Sequence, residues 1–292
     1  MNEGYALVQL ANGSFSIHSR AERETFHPVA GPVEEAQTLY IEQLQLRERL
    51  ATTPGEFVIW DVGLGAGGNV LTALRQTAGV KADVRIVSFD RTLAPLEFAL
   101  NHARELKFIS GFEDVLEKLL HDRSVAFAND KQHVQWKVMV EDFPSLLARA
   151  ASALESSGER LLPVPHAIFF DAFSPARNPE MWTLPLFEHL HALLEAERPC
   201  ALATFSRSTM VRTALLLAGF FVGTGKPLAG KEETTVAANV PGLATPLLNH
   251  AWLERTRRSS AAEPLRQPRH LRAQLSAETW ERLRAHPQFH SS

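Results

Sequence analysis

The sequence predicts an α/β fold, a seven-stranded, mostly parallel sheet with an antiparallel last strand, preceded by a β-hairpin and a helix. Three observations predict it. From residue 57 onward, short apolar runs alternate with helical patterns, which implies a parallel sheet covered on both faces. The segment FVIWDVGLGAGGN (57–69) is an apolar run that stops at Asp61 and turns at Gly63, Gly65, Gly67 and Gly68. It reads as a buried strand followed by a tight turn and a helix start. The last two strands are separated by only about ten residues and no helix, too few for a right-handed crossover, so they pair antiparallel.

In chain order, Tyr5–Leu10 and Phe15–His18 flank Asn12-Gly13, a strong hairpin signal. Residues 20–32 carry Pro28, Gly31 and Pro32 and read as loop; Val33–Leu50 follows as a helix. Strands are expected at 57–61, 84–90, 134–140, 166–171, 200–205, 219–223 and 234–238, each a short apolar run bounded by breakers. Helical patterns fill the gaps at 69–77, 94–106, 143–154, 183–196 and 207–218. The long gap 111–133 reads as an extra helix (112–121) and a polar loop. Residues 241–292 are rich in Pro and Arg, with eight arginines at 255, 257, 258, 266, 269, 272, 282 and 284 and a helix expected at 274–285. A solvated charge run is the plain reading of that tail.

Bulk properties narrow the function. The chain has 292 residues, 45% hydrophobic and 22% charged, an ordinary globular composition. Its formal net charge of −3 gives no bulk support to nucleic-acid binding and leaves only a local basic patch open. Cys200 is the one cysteine, so an internal disulfide framework is impossible and a cysteine-based zinc site is not expected. No apolar run approaches the roughly 20 residues of a membrane span. The N-terminus lacks the basic start and apolar core of a signal peptide, so a cytoplasmic enzyme is expected.

The glycine turn is a place where backbone approaches a nucleotide cofactor closely. Gly63, Gly65 and Gly68 satisfy the dinucleotide pattern G-x-G-x-x-G, and Asp90 lies where a ribose-binding acid is expected, so NAD is one reading. Two details favour S-adenosyl-L-methionine. Asp61 precedes the turn and offers a carboxylate to a cationic amino group, whereas it would repel a pyrophosphate. The antiparallel last strand is typical of the class I methyltransferase (Rossmann-like) fold. In that reading Gly63, Gly65, Gly67 and Asn69 form the cofactor turn. Asp90, ending VSFD, accepts from the ribose hydroxyls. Asp142, after VMVE, accepts from the adenine amino group, and Phe143 stacks on the adenine ring. Asp171, ending AIFFD, lies beside the sulfonium. A single Asp at a strand end is as often a helix N-cap; four at successive parallel strand ends form a set.

The segment HAIFFDAFSPARNPEMW (166–182) resembles the methyltransferase domain of the tRNA 5-methylaminomethyl-2-thiouridine biosynthesis enzymes, the MnmC type, whose pattern is D-G/A-F-x-P followed by A-K/R-N-P-x-M-W. Asp171, Phe173, Pro175, Arg177, Asn178, Pro179, Met181 and Trp182 stand in it. The resemblance continues through Leu186-Phe187 and ATFSRSTMVRTALLLAGF (203–220). Upstream, HPVAGPVEEAQTLYI (27–41) keeps His27, Gly31, Glu35 and Tyr40 of another family segment, and Asn12-Gly13-Ser14 is similar to the family's opening. The resemblance covers roughly residues 5–240 and implies a class I fold, S-adenosyl-L-methionine, and methylation of the aminomethyl group of a wobble uridine in tRNA. The implied organisation is an N-terminal hairpin and helix extension (1–50), a methyltransferase domain (51–240) and a C-terminal extension (241–292). Some members carry a fused flavin-dependent oxidase. This chain is too short for one, which implies a stand-alone methyltransferase and a separate oxidase acting earlier in the same pathway. Two departures stand out. Lys231 is followed by Glu232-Glu233-Thr234 where the family reads K-R-E-M, so a loop that would grip tRNA phosphate or the reactive base keeps Lys231 and loses an arginine. Pro28, Ala36 and Thr38 replace Ser, Ser and His near the substrate.

Methyl transfer from a sulfonium is an in-line displacement, which an enzyme accelerates by positioning and electrostatics. Asp171 is the candidate catalytic residue, orienting the amine N–H and accepting its proton. Phe173, Pro175 and Trp182 are candidates for an apolar pocket around a flipped base, against the alternative of core packing. Glu35 is a candidate contact to cofactor or amine, against a solvated helix face. His189 and His191 are two residues apart and point to different sides of a helix, so with His27 they make no metal site. The competing functions are a methyltransferase for another RNA or a small amine, an NAD-dependent oxidoreductase, and a non-catalytic cofactor-binding partner protein.

Overall fold

The computed structural model describes residues 4–27, 30–228, 230 and 232–290. In chain order the elements are β1 (Tyr5–Gln9), β2 (Phe15–Ser19), β3 (Glu24–Thr25), α1 (Pro32–Ala36), α2 (Leu46–Thr52), β4 (Glu56–Val62), α3 (Gly68–Thr77), β5 (Ala82–Asp90), α4 (Ala94–Asn101), α5 (Glu113–Asp122), β6 (Ser124–Asn129), β7 (Gln132–Val140), α6 (Phe143–Ser157), β8 (Ala167–Phe170), α7 (Leu184–Ala192), β9 (Ala201–Thr204), α8 (Thr209–Leu217), β10 (Phe221–Gly225), β11 (Thr234–Ala238), α9 (His250–Arg257) and α10 (Ala277–Arg284). The chain divides into two compact units.

The first unit comprises residues 1–143, 167–171 and 227–232. Its strands run β8-β4-β5-β7-β6. The first four are parallel, and β6 pairs antiparallel with β7. The chain adds strands outward from β4 to β5 to β7, then returns to lay β8 on the other side of β4. Such a reversal is a topological switch point, and ligands of open α/β sheets bind outside the strand ends there. The hairpin is present as expected: β1 pairs with β2 from Tyr5↔Ser19 to Gln9↔Phe15, and the Asn12 carboxamide accepts from the Ser14 N–H at 3.0 Å to hold the turn. β4 is buried from Phe57 to Val62, as a strand covered on both faces must be.

The second unit comprises residues 144–166, 172–226 and 233–292. Its strands run β10-β11-β9, with β11 antiparallel to both neighbours, so the expected antiparallel last strand is found. Helix starts here follow the sequence. Thr183, Asn249 and Ser276 each accept a backbone N–H from three residues on, capping α7, α9 and α10.

All seven expected strands form, and four expectations change. The polar loop after 121 contains an eighth strand, β6, which turns into β7 at Asp130, an αL residue at φ 52°. The residues of β6 are alternately exposed and half-buried and none is buried, and the run is short and flanked by Arg123 and by Asn129-Asp130-Lys131, so it reads as loop. The helix expected at 33–50 is broken: Gln37–Glu42 forms a π-helical turn and Gln45 sits at φ 51°, between α1 and α2. The strand expected at 219–223 starts two residues later. Gly219, at φ 103°, and Phe220 donate to Leu216 and Leu215 carbonyls and finish α8 instead. The C-terminal segment contains α9 besides the expected helix.

Candidate functional site

The glycine turn after β4 is built by left-handed backbone. Gly63, Gly65 and Gly67 have φ 94°, 52° and 77°. Gly65 is constrained twice: its φ disfavours any Cβ, and a Cβ would stand 3.2 Å from the Phe26 ring. The turn is stitched to the end of β5. Gly63 N–H donates to the Phe89 carbonyl at 3.0 Å, and Gly65 N–H donates to the Asp90 carboxylate at 2.9 Å. Asp90 also accepts from Thr92 N–H at 3.3 Å. Burial raises the Asp90 pKa, and these backbone donors oppose the rise.

Asp61 lies on β4 directly opposite Ser88 of β5, and that register gives its one hydrogen bond: Ser88 Oγ donates to Asp61 Oδ2 at 2.7 Å. Ser88 in turn accepts from the Trp136 indole at 2.9 Å. Asp61 is 1% exposed and its Oδ1 has no partner. Its pKa is pushed up to about 7, chiefly by burial; the Ser88 bond opposes this, while Asp171 and Asp90 add to it. An ionised carboxylate buried with a free oxygen is costly, and such a group in a folded protein needs an explanation.

Asp171 follows β8 and its N–H donates to the Val62 carbonyl at 2.9 Å, fixing it beside the end of β4. Its Oδ2 accepts from the Asn69 amide at 2.8 Å and lies 3.6 Å from His27 Nε2. His27 Nδ1 lies 3.4 Å from Glu35 Oε2. Glu35 is 7% exposed, so it is not the solvated helix-face residue of the alternative reading. Burial pulls the His27 pKa down, but the Asp171 and Glu35 carboxylates outweigh it and the net direction is up. Tyr40, on the π-helical turn, is fully buried and stacks on Phe169 at 4.5 Å. Burial, then Asp171, Asp61 and Glu35, hold its pKa well above the phenol range, so it stays neutral.

Asp61 Oδ1, Asn69 Oδ1, Glu35 Oε1 and the Tyr40 hydroxyl are buried without hydrogen-bond partners. Three of the four can only accept. A site of four carboxylates (Glu35, Asp61, Asp90, Asp171), one histidine and unfilled acceptors fits a cationic ligand rich in N–H donors. An ammonium and a sulfonium meet that need, whereas a dinucleotide pyrophosphate would bring negative charge to it. Among the described residues no group of three or more His, Cys, Asp or Glu side chains has metal-site geometry.

The remaining expected residues fall elsewhere. Asp142 accepts from Arg91 Nε at 3.0 Å and Nη2 at 2.7 Å on the protein surface. Phe143 is 4% exposed and packs against Phe89 at 4.9 Å, a core ring with no open stacking face. In the second unit, Trp182 is fully buried and is packing, not pocket wall. Its indole donates to the Phe173 carbonyl at 2.7 Å and its ring meets Phe205 edge-on. It thereby positions Phe173, which with Pro175 is partly exposed. Lys231 lies outside the described residues. Glu233, one of the departures, is the counterion of buried Arg212 at 2.8 Å, whose other donors reach Thr235 and the Thr234 carbonyl. The sequence reading did not assign roles to His27 and Tyr40. Their signal was present in the 27–41 segment, but neither belongs to a spacing motif.

Residues 111–240 match the model of a family described as S-adenosyl-L-methionine-dependent methyltransferase. The chain is 27% identical over 249 residues to the tRNA 5-methylaminomethyl-2-thiouridine biosynthesis bifunctional protein MnmC of Pseudomonas putida (strain W619), covering 82% of this chain and 35% of that protein. To the Leptospira interrogans protein of the same name (strain Fiocruz L1-130) it is 29% identical over 226 residues, covering 73% and 32%. It thus spans about a third of the length of these relatives. The crystal structure of MNMC2 from Aquifex aeolicus is similar with a TM-score of 0.69 and 25% identity, covering 90% of this chain and 79% of that one.

Proposed function

We propose that this chain, an S-adenosyl-L-methionine-dependent methyltransferase of the class I fold, methylates the aminomethyl nitrogen of a wobble uridine in tRNA. The observation that carries the reading is the set of buried acceptors without partners, Asp61 Oδ1, Asn69 Oδ1 and Glu35 Oε1, which matches a cationic ligand rich in N–H donors. The relatives named for 5-methylaminomethyl-2-thiouridine biosynthesis support the uridine. The relatives are named bifunctional and this chain spans about a third of their length, so a second step of the same biosynthesis would be supplied by another protein or polypeptide region. The reaction belongs in the cytoplasm with its tRNA; among the described residues no helix is long and apolar enough to cross a membrane.

S-adenosyl-L-methionine, when bound, supplies a methyl group on a positively charged sulfur. In our reading Asp61 would hold its ammonium group, and the turn from Gly63 to Gly67 with Asp90 would hold its ribose. Asn69 orients Asp171 through the 2.8 Å amide bond. Asp171 would accept an N–H of the incoming amine, orient its nitrogen lone pair, and take up the proton that the nitrogen loses. His27 lies at ion-pair distance from both Asp171 and Glu35; burial opposes its protonation, but these two carboxylates raise its pKa overall, so its protonated form would balance their charge. Phe173 and Pro175, two and four residues beyond Asp171, supply apolar surface to the base.

The test is transfer of radiolabelled methyl from S-adenosyl-L-methionine to bulk tRNA from cells lacking wobble-uridine methylation, followed by nucleoside analysis. Label in the methylaminomethyl uridine nucleoside is expected. Label in another nucleoside, or only in small amines offered in parallel, would refute the acceptor.

A further inference from the structure

We infer that the loop 264–274, exposed from Arg266 to Gln274, is an RNA-docking element that grips backbone phosphates; this rests on the reading of tRNA as substrate. The loop belongs wholly to the second unit. Its start is tied by the Leu265 carbonyl, which accepts from Leu184 N–H at 2.7 Å, and by a parallel bridge between Leu265 and Thr183. Its end is tied by the Ala273 carbonyl, which accepts from the N–H groups of Ala262 and Glu263 at 2.9 and 3.0 Å. Ser276 N–H then donates to Glu263 at 2.9 Å as α10 begins. A surface segment closed at its base in this way is an Ω-loop, a form that commonly carries function.

What the ties present is cationic. Every residue from Arg266 to Gln274 is exposed, and none between Glu263 and Glu278 is acidic. Arg266 has only long ion pairs, 3.9 Å to Glu263 and 4.0 Å to Glu278. Among the described residues, Arg269 and Arg272 have no ion-pair partner. By contrast, Arg282 meets Glu188 at 3.5 Å and Arg284 meets Glu281 at 2.6 Å, while Arg257 lies over the Trp280 ring. Leu271, between the unpaired arginines, is 55% exposed. Unpaired guanidinium forks around an exposed apolar side chain suit phosphates flanking an unstacked nucleotide. A chain with net charge −3 has no bulk attraction for RNA and needs such a local patch. The position agrees. Thr183, where the loop is rooted, follows Trp182, whose indole holds the carbonyl of Phe173, the candidate acceptor contact.

The test is filter binding of bulk tRNA to the full chain and to its R269A/R272A variant between 50 and 200 mM salt. Loss of two phosphate contacts should weaken binding at low salt on the order of 10-fold and flatten the slope of log K against log salt by about 1.4–1.8. Thermal melting and affinity for S-adenosyl-L-methionine should not change, since both side chains are exposed and outside the first unit. Unchanged tRNA affinity and slope would overturn the assignment. So would a variant that loses binding to anionic phospholipid vesicles and keeps tRNA. Wild-type protein that binds tRNA through these arginines yet methylates none of it leaves the loop assignment standing and refutes the acceptor.

Discussion

Replacing Asp61 with asparagine should stabilise the protein and damage its cofactor site at once. The Asp61 carboxyl has an ordinary pKa of 3.8 when unfolded and about 7 when folded. Between those values the folded state holds a proton that the unfolded chain has released. Stability therefore falls as pH rises from about 4 to about 7 and is flat above. The shift of about three units corresponds to a penalty of about 4 kcal/mol carried by the ligand-free protein at pH 8. The D61N variant carries no such charge. Its new carboxamide oxygen can still accept from Ser88, while the amide nitrogen is left without an acceptor at a cost of about 1 kcal/mol. The net gain at pH 8 is then about 3 kcal/mol; it crosses zero at about pH 4.5 and becomes a loss of about 1 kcal/mol in more acid solution. His27, whose pKa is raised, also contributes stability that is lost with rising pH, over a window above 6.5. That term is common to both proteins and cancels in their difference.

Urea unfolding of both proteins at pH 5 and pH 8 reads the stability difference directly. Calorimetry with S-adenosyl-L-methionine reads the function. Wild-type affinity should increase with pH up to about 7, as Asp61 ionises to meet the ammonium. The D61N variant should bind about 10- to 100-fold more weakly, the worth of a charge-assisted hydrogen bond, with less dependence on pH. Two results would refute the reasoning: equal pH dependence of stability in both proteins, or full cofactor affinity in D61N.

Three further outcomes are expected. Asp171→Asn should keep cofactor affinity within a few-fold and lose about 10²–10⁴ in turnover with tRNA, measured at saturating cofactor; unchanged turnover would remove Asp171 from proton transfer. Gly65→Ala should cost about 1–2 kcal/mol by urea unfolding and weaken cofactor binding, because φ 52° and the Phe26 ring at 3.2 Å both oppose a Cβ. Glu233→Ala should destabilise by about 1–3 kcal/mol, since it strips the counterion from an arginine only 2% exposed, and Arg212→Met should recover part of that loss in the double variant.

Much of the candidate site was legible because it is written in local chemistry. A glycine turn requires glycines at φ values that other residues avoid, and an acid at the end of a strand needs only its neighbours in sequence to be noticed. Asp61, Asp90 and Asp171 therefore emerge from the chain alone, and parallel pairing then brings their strand ends together. Asp142 and Phe143 stand after the third strand, where an adenine contact is expected, and the structure gives them the protein partners Arg91 and Phe89. Neither neighbour is visible from strand periodicity. Trp182 shows the converse. Its motif was legible, yet its indole faces a backbone carbonyl in the core, so the pattern reflects how Phe173 is held.

The π-helical turn explains why Tyr40 escaped. A pattern of period 3.6 assigns residues 33–50 to one regular helix, and on that helix Tyr40 is merely another apolar position. Widening the turn brings its hydroxyl under the influence of Asp171, Asp61 and Glu35. A strained helical segment beside an array of unpaired carboxylate oxygens is what a site built for a cation would contain. The neutral phenol can donate one hydrogen bond there without adding charge. Glu35 and His27 flank the same array from the layer before β4, which is why a sheet with its strand-end acids is not by itself the whole site. The N-terminal layer supplies the charge balance around Asp171, and the altered positions 36 and 38 lie in that layer, while position 28 lies outside the described residues. Differences in acceptor between this chain and its relatives should therefore follow residues 27–40 more closely than the glycine turn.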